Sequence, residues 1–307
     1  MARRVSHHGC DSQRSLVGLP ETMNHPSNSE KPRLHSFDTQ GMNALFTIRI
    51  HHHEVDEARR LAGNCFRQLE EIEAQLSRYR HDSDVSRINA LKAGESMLLT
   101  EVTYRCLQRS IEAATMTAGL FDATLGSQTW GAGLRGEEPV KGVLKLSPDR
   151  PEITCEAAGR EIDFGGIGKG FALDEMASTL LDLGGESALL SCGSSTHLAI
   201  GNYAWSMALR GDKEEFKIEL KSQALSASGI GEQGAHVVHP DTGQPPSYRF
   251  QRVWVVAPSA ALCDALSTAC LIMDEEELSD FAAANEEQGI MINTESALDH
   301  AIRKVKP

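Results

Sequence analysis

The sequence has no surplus of positive charge: its formal net charge is -13. It lacks the basic face that displaces counterions from a nucleic-acid backbone, so general nucleic-acid binding is excluded. No apolar run is long enough to span a bilayer, and no apolar h-region follows the N-terminus. No conventional signal peptide is therefore visible, and a cytoplasmic location is the expectation. Cysteine is scattered. Cys10, Cys65, Cys106, Cys155, Cys192, Cys263 and Cys270 form no CxxC pair, which points to reduced thiols rather than a disulfide framework. The HExxH, GxSxG and catalytic-cysteine signatures are missing, as is any internal repeat.

The chain has 307 residues of ordinary globular composition, enough for one large core or two coupled subdomains. Residues 1–36 are polar and aperiodic, and are read as disordered or as an over-extended start, with Met23 an alternative initiator. Order is expected from near Phe37. Residues 44–50 read as a strand. Residues 55–79 read as an amphipathic helix, because Val55, Ala58, Leu61, Ala62, Cys65, Leu69, Ile72 and Leu76 recur at steps of three and four. Helices are also expected over 101–118, 170–183, 260–273 and 275–284. Short alternating runs at 188–192, 197–200, 205–209, 216–220, 252–257 and 289–293 predict strands, and 134–153 predicts a loop or short strands. Helices bracket a block of consecutive strands, so the expected class is α+β, with mixed or antiparallel sheets flanked by helices.

Several segments carry candidate chemistry. Asp163-Phe-Gly-Gly-Ile-Gly-Lys-Gly170 precedes a helix. Its glycines would let backbone N–H groups approach phosphate, and Lys169 would add a full charge. It matches neither the Walker loop nor the dinucleotide fingerprint, and read alone it is equally a tight strand-to-helix turn. Asp264 and Thr268 lie four apart on one helix, so they share a face of hard oxygen ligands suited to Mg²⁺. Alone, that pair is more simply a helix start with a back-bonded threonine. An acidic chain holding a pyrophosphate would need such a cation or a nest of N–H groups.

Other segments are weaker. Residues 226–230 and 236–243 surround a turn at Pro240, where His236 and His239 could titrate near neutrality or simply be turn chemistry. Tyr79 could stack on a flat ring, while Ser83 and Ser86 could cap the next turn. Asp122, in Gly119-Leu-Phe-Asp-Ala-Thr124, could accept from a ligand or cap a turn. His51, His52 and His53 alternate faces on a strand and read as solvated rather than as a metal tract.

Together and in order, these pieces resemble the FAD:protein FMN transferase family of ApbE type, from about Phe37 to about Asn293. The matching pieces are Gly41-Met-Asn43, 76–79, 83–89, 119–124, 163–174, Ser228-Gly229, 236–243 and 264–268. The resemblance implies a single catalytic domain over 37–307 with the T-fold-like architecture of flavin transferases. It implies Mg²⁺-dependent transfer of FMN from FAD to a Ser or Thr of an acceptor flavoprotein carrying a flavinylation motif, with release of AMP. It casts Asp264, Thr268 and the Gly166 carbonyl as metal ligands. Asp163 and Lys169 would contact FAD, as would Met42, Tyr79, Phe121, Asp122 and Ser228. His236 would activate the acceptor hydroxyl.

The chain departs from the family pattern in places. Gly193-Ser-Ser195 replaces Gly-Gly-Asp, and His239 replaces the aspartate of His-x-x-Asp-Pro. Ala227 stands where Thr-Ser-Gly begins, and Asn43-Ala44 stands for Gly-Thr. Because Asp264, Thr268 and His236 survive, an active but divergent member is expected. FAD hydrolysis to FMN and AMP, or FAD binding without catalysis, are the alternatives.

Overall fold

A computed structural model describes residues 32–129, 140–230, 237, 239–242, 248–298 and 300–306. In chain order the elements are β1 (Arg33–Gly41), β2 (Ala44–His52), α1 (Val55–Leu76), α2 (Asp84–Asn89), β3 (Ser96–Leu98), α3 (Glu101–Met116), α4 (Gly126–Thr129), β4 (Val143–Leu146), β5 (Glu152–Ala157), α5 (Gly168–Asp182), β6 (Ala188–Cys192) and β7 (Thr196–Ile200). There follow β8 (Trp205–Arg210), β9 (Glu215–Leu220), β10 (Ala224–Gly229), β11 (Phe250–Ala257), α6 (Ala260–Ile272), α7 (Glu275–Asn285), β12 (Met291–Ser296) and β13 (Ile302–Lys304).

The main sheet runs β1-β2-β6-β7-β10-β11-β12-β13, and each neighbouring pair is antiparallel. Side chains of a strand alternate between its faces, and both faces of the sheet centre are covered. Val253, Val255 and Ala257 of β11, with Ala188, Leu190 and Cys192 of β6, join the core beneath α1, α5 and α6. Their neighbours Trp254, Val256 and Leu189 pack instead with Trp205, Leu209 and Leu220 of the β8–β9 hairpin. Two covered faces explain why β6 is buried at every position. A smaller sheet has the order β3-β5-β4. No helix among the described residues is long and apolar enough to cross a membrane.

The expected α+β class and strand-rich middle are the observed ones. Several boundaries differ by a few residues, and three of them have a visible cause. β1 begins at Arg33 rather than near Phe37, because its polar residues pair along the whole length of β2, up to His52. α1 stops at Leu76, since Ser77 is extended (φ -69, ψ 122) and its carbonyl accepts the Ser83 hydroxyl at 2.5 Å. α5 starts at Gly168, two residues before the expected Gly170, through a Gly168 N–H bond to the Phe164 carbonyl at 2.7 Å. Nor is His51 solvated: its ring lies 4.2 Å from that of Tyr203 and 5.3 Å from that of Trp205.

Candidate active site

α5 and α6 exchange carboxylates. Asp174 of α5 accepts the Ala260 and Ala261 N–H groups at 2.8 and 2.9 Å and the Ser259 hydroxyl at 2.7 Å, which satisfies the orphan donors at the start of α6. Burial pushes the Asp174 carboxyl above its usual range, against those bonds. In return Asp264 of α6 accepts the Gly170 N–H of α5 at 3.2 Å. Gly170 is required by the close approach: a Cβ there would lie 2.1 Å from the Ala260 carbonyl oxygen. That crossing explains why the loop ends in glycine where a Walker loop has a hydroxyl.

Asp264 is only 5% exposed. Its Oδ1 accepts the Ser226 hydroxyl at 3.3 Å, and the Lys169 ammonium stands 4.0 Å from its Oδ2. Lys169 also donates to the Gly165 carbonyl at 3.0 Å. One turn along α6, the Thr268 hydroxyl donates to the Asp264 carbonyl at 3.1 Å, the back-bonded geometry that the sequence allowed. Ser228 Oγ lies 2.8 Å from Ser267 Oγ and 3.4 Å from Thr268 Oγ1.

The glycine loop closes against this face. A Cβ on Gly166 would meet Thr268 Oγ1 at 3.4 Å and the Phe121 ring at 3.3 Å. A Cβ on Gly168 would meet Met42 Cε at 3.2 Å. Met42 and Asn43 form the β1–β2 turn with φ of 49° and 58°, the two left-handed residues a type I′ hairpin needs. Asn43 suits that conformation, which gives its departure from the family pattern a local reason. Gly166, Lys169, Ser228, Asp264 and Thr268 are thus brought together, with Phe121 and Met42 at the edge.

Asp163 is fixed from outside its own loop. Arg78, whose side chain is 5% exposed, donates to its Oδ2 at 2.7 Å and to Glu161 at 3.2 Å. Arg78 also donates to the Gly126 carbonyl at 3.0 Å. Asn89 exchanges two bonds with the Ile162 backbone, at 2.7 and 3.0 Å. Arg78 and Asn89, with Asp174 and Ser226, are the residues sequence reasoning passed over. Each lay inside or beside a quoted motif, where Tyr79 and the serines drew attention instead. Tyr79 itself follows Arg78 and leaves its side chain outward, 71% exposed. Ser83 caps α2 through the Ser86 N–H at 3.0 Å. Both oxygens of Asp122 are engaged within the fold, by Thr124 at 2.6 and 2.8 Å and by Arg160 at 2.7 Å.

The divergent turn is held by hydroxyls. Ser226 Oγ lies 3.0 Å from Thr196 Oγ1, next to Ser195 at 3.4 Å. His197 contacts Ser191 at 2.9 Å and the Ser194 carbonyl at 3.4 Å. Cys192 is close enough for Lys169 and Asp264 to act on it, but burial pushes its thiol up to about 12, so it is no nucleophile. His236 lies outside the described residues. His239 accepts the Asp241 N–H at 3.3 Å, as a turn residue does.

The chain is 25% identical over 269 residues to the FAD:protein FMN transferase of Vibrio cholerae, covering 78% of this chain and 80% of that one. It is 25% identical over 256 residues to the FAD:protein FMN transferase of Treponema pallidum, covering 69% and 71%. The apo crystal structure of Pseudomonas stutzeri flavinyl transferase ApbE matches with a TM-score of 0.78 at 24% identity, over 90% of this chain and 95% of that one. That likeness speaks to the fold. The ApbE family model matches residues 42–292, and the chain belongs to the ApbE family.

Proposed function

We propose that this protein transfers the FMN half of FAD to a Ser or Thr hydroxyl of an acceptor flavoprotein, releasing AMP. The observation that carries the reading is the closure of the Gly166–Lys169 turn onto the Asp264 and Thr268 face of α6, in a chain of the ApbE family. In the reaction the acceptor oxygen bonds to the FMN-side phosphorus. The bond from that phosphorus to the bridging oxygen breaks, and AMP departs with the electron pair.

The donor set fits Mg²⁺. Asp264, Thr268 and the Gly166 carbonyl offer hard oxygens, and the bonds Asp264 makes to Gly170 and Ser226 leave lone pairs on both its oxygens. These three residues would hold the ion. When bound, it neutralises charge on the pyrophosphate and on departing AMP.

The chain's own residues do the rest. Lys169 and the N-terminus of α5 place positive charge beside the pyrophosphate. Asp163, held by Arg78, would orient FAD together with Met42, Tyr79, Phe121, Asp122 and Ser228. The proton of the acceptor hydroxyl is assigned to His236 on the sequence pattern, since a neutral imidazole can accept it. The test is AMP release from FAD with Mg²⁺, with and without an acceptor peptide. Release that requires the acceptor supports transfer. Release without it indicates hydrolysis, and FAD binding with no product indicates a flavin-binding protein.

A further inference from the structure

On the sheet face away from the helices, three side chains from separate segments converge. Asp212 lies in the turn between β8 and β9, Glu295 near the end of β12, and His300 just before β13. Glu295 pairs in register with Arg252 of β11, two residues from Trp254, so it shares the hairpin face with that ring. One ligand atom from each lies within 4.8 Å of the others. His300 Nδ1 is 3.3 Å from Asp212 Oδ2 and 3.9 Å from Glu295 Oε1.

The observation that points to a ligand is Glu295. Its side chain is 0% exposed. Oε1 accepts the Asp212 N–H at 2.6 Å, while Oε2 is buried with no hydrogen-bond partner, as is His300 Nδ1. A buried carboxylate oxygen without a donor is costly, and a cation held by Glu295 and His300 together would offset both unmet groups. Gly211 makes room for the carboxylate itself: a Cβ there would lie 2.7 Å from Glu295 Oε1.

We propose that Asp212, Glu295 and His300 form a second metal site, for a first-row divalent transition ion of the Zn²⁺ type. One imidazole and two carboxylates suit such an ion better than Mg²⁺, which favours oxygen alone. Tetrahedral bonds of about 2.1 Å separate ligand atoms by roughly 3.4 Å, near the 3.3 and 3.9 Å that part His300 Nδ1 from the two carboxylates. Asp212 is half exposed, so water completes the coordination. The ion ties the β8–β9 hairpin to the β12–β13 edge and leaves the Asp264 site untouched.

The test uses the full chain, stripped with chelator and titrated with ZnCl₂ alone in a buffer containing Mg²⁺. Wild type and Asp264→Ala are expected to bind one Zn²⁺ per chain at this site and to gain thermal stability. Asp212→Asn and His300→Ala are expected to lose at least about ten-fold in affinity and to lose the Zn²⁺-dependent rise in Tm. X-ray absorption of the Zn²⁺ complex is expected to show nitrogen and oxygen neighbours only. Binding that is unchanged in both variants, that vanishes in Asp264→Ala, or that shows sulfur neighbours overturns the proposal.

Discussion

Gly170 donates its N–H to the Asp264 carboxylate at 3.2 Å while lying so close to α6 that a Cβ would sit 2.1 Å from the Ala260 carbonyl. The contact joins the glycine loop to the Asp264 and Thr268 face of α6, so the two segments cannot move independently. Gly170→Ala forces backbone against backbone, which no rotamer relieves. The expected cost is about 3 kcal/mol of stability, with loss of FAD binding. Urea denaturation measures the first and flavin fluorescence quenching the second.

Arg78 is the brace of Asp163. Its guanidinium reaches Asp163, Glu161 and Gly126 at once, which only a planar fork can do. Arg78→Lys should therefore weaken FAD binding nearly as much as Arg78→Ala does. Removing the buried cation is expected to cost about 2 kcal/mol, the lower end for such pairs because both carboxylates are partly solvated. Chemical denaturation and FAD titration of the two variants check this. A lysine variant that behaves as wild type contradicts the bracing role.

Burial pushes the His197 imidazole below its ordinary value of 6.5. The unfolded chain therefore takes up a proton near 6.5 that the folded chain takes up only at lower pH. The stability this group contributes is complete above 6.5 and is lost as pH falls from there to the folded value. His197→Asn should flatten the decline in urea midpoint between pH 7.5 and 5.5. An unchanged slope contradicts the assignment. Because His197 contacts Ser191 and the Ser194 carbonyl, acid should loosen the Gly193–Ser195 turn first.

His236 is assigned to deprotonate the acceptor hydroxyl. His236→Ala is expected to reduce the transfer rate by about 10²–10⁴-fold while FAD affinity stays within about two-fold. Single-turnover kinetics beside a binding titration separates the two. Equal losses in both would place the residue in cofactor binding instead.

The sequence made α1 plain through its three- and four-residue steps, and it put Asp264 and Thr268 on one helical face. These are local periodicities. What it hid is long-range. Arg78 meets Asp163, and Asn89 meets Ile162, across stretches that no spacing rule connects. β1 escaped because Arg33–Gly41 alternates with polar residues, and its pairing with β2 overrides weak propensity. β10 was visible only as a serine motif. Its role as a central strand follows from its partners β7 and β11. The reciprocal caps of Asp174 and Asp264 need both helices in place before either can be read.

The most direct measurement of the central claim is the intact mass of an acceptor flavoprotein domain after incubation with this chain, FAD and Mg²⁺. The account predicts a gain of one FMN on a single Ser or Thr, dependent on added metal and abolished by Asp264→Ala. An acceptor whose mass never changes, or whose gain persists undiminished with Asp264→Ala or with chelator present, contradicts it.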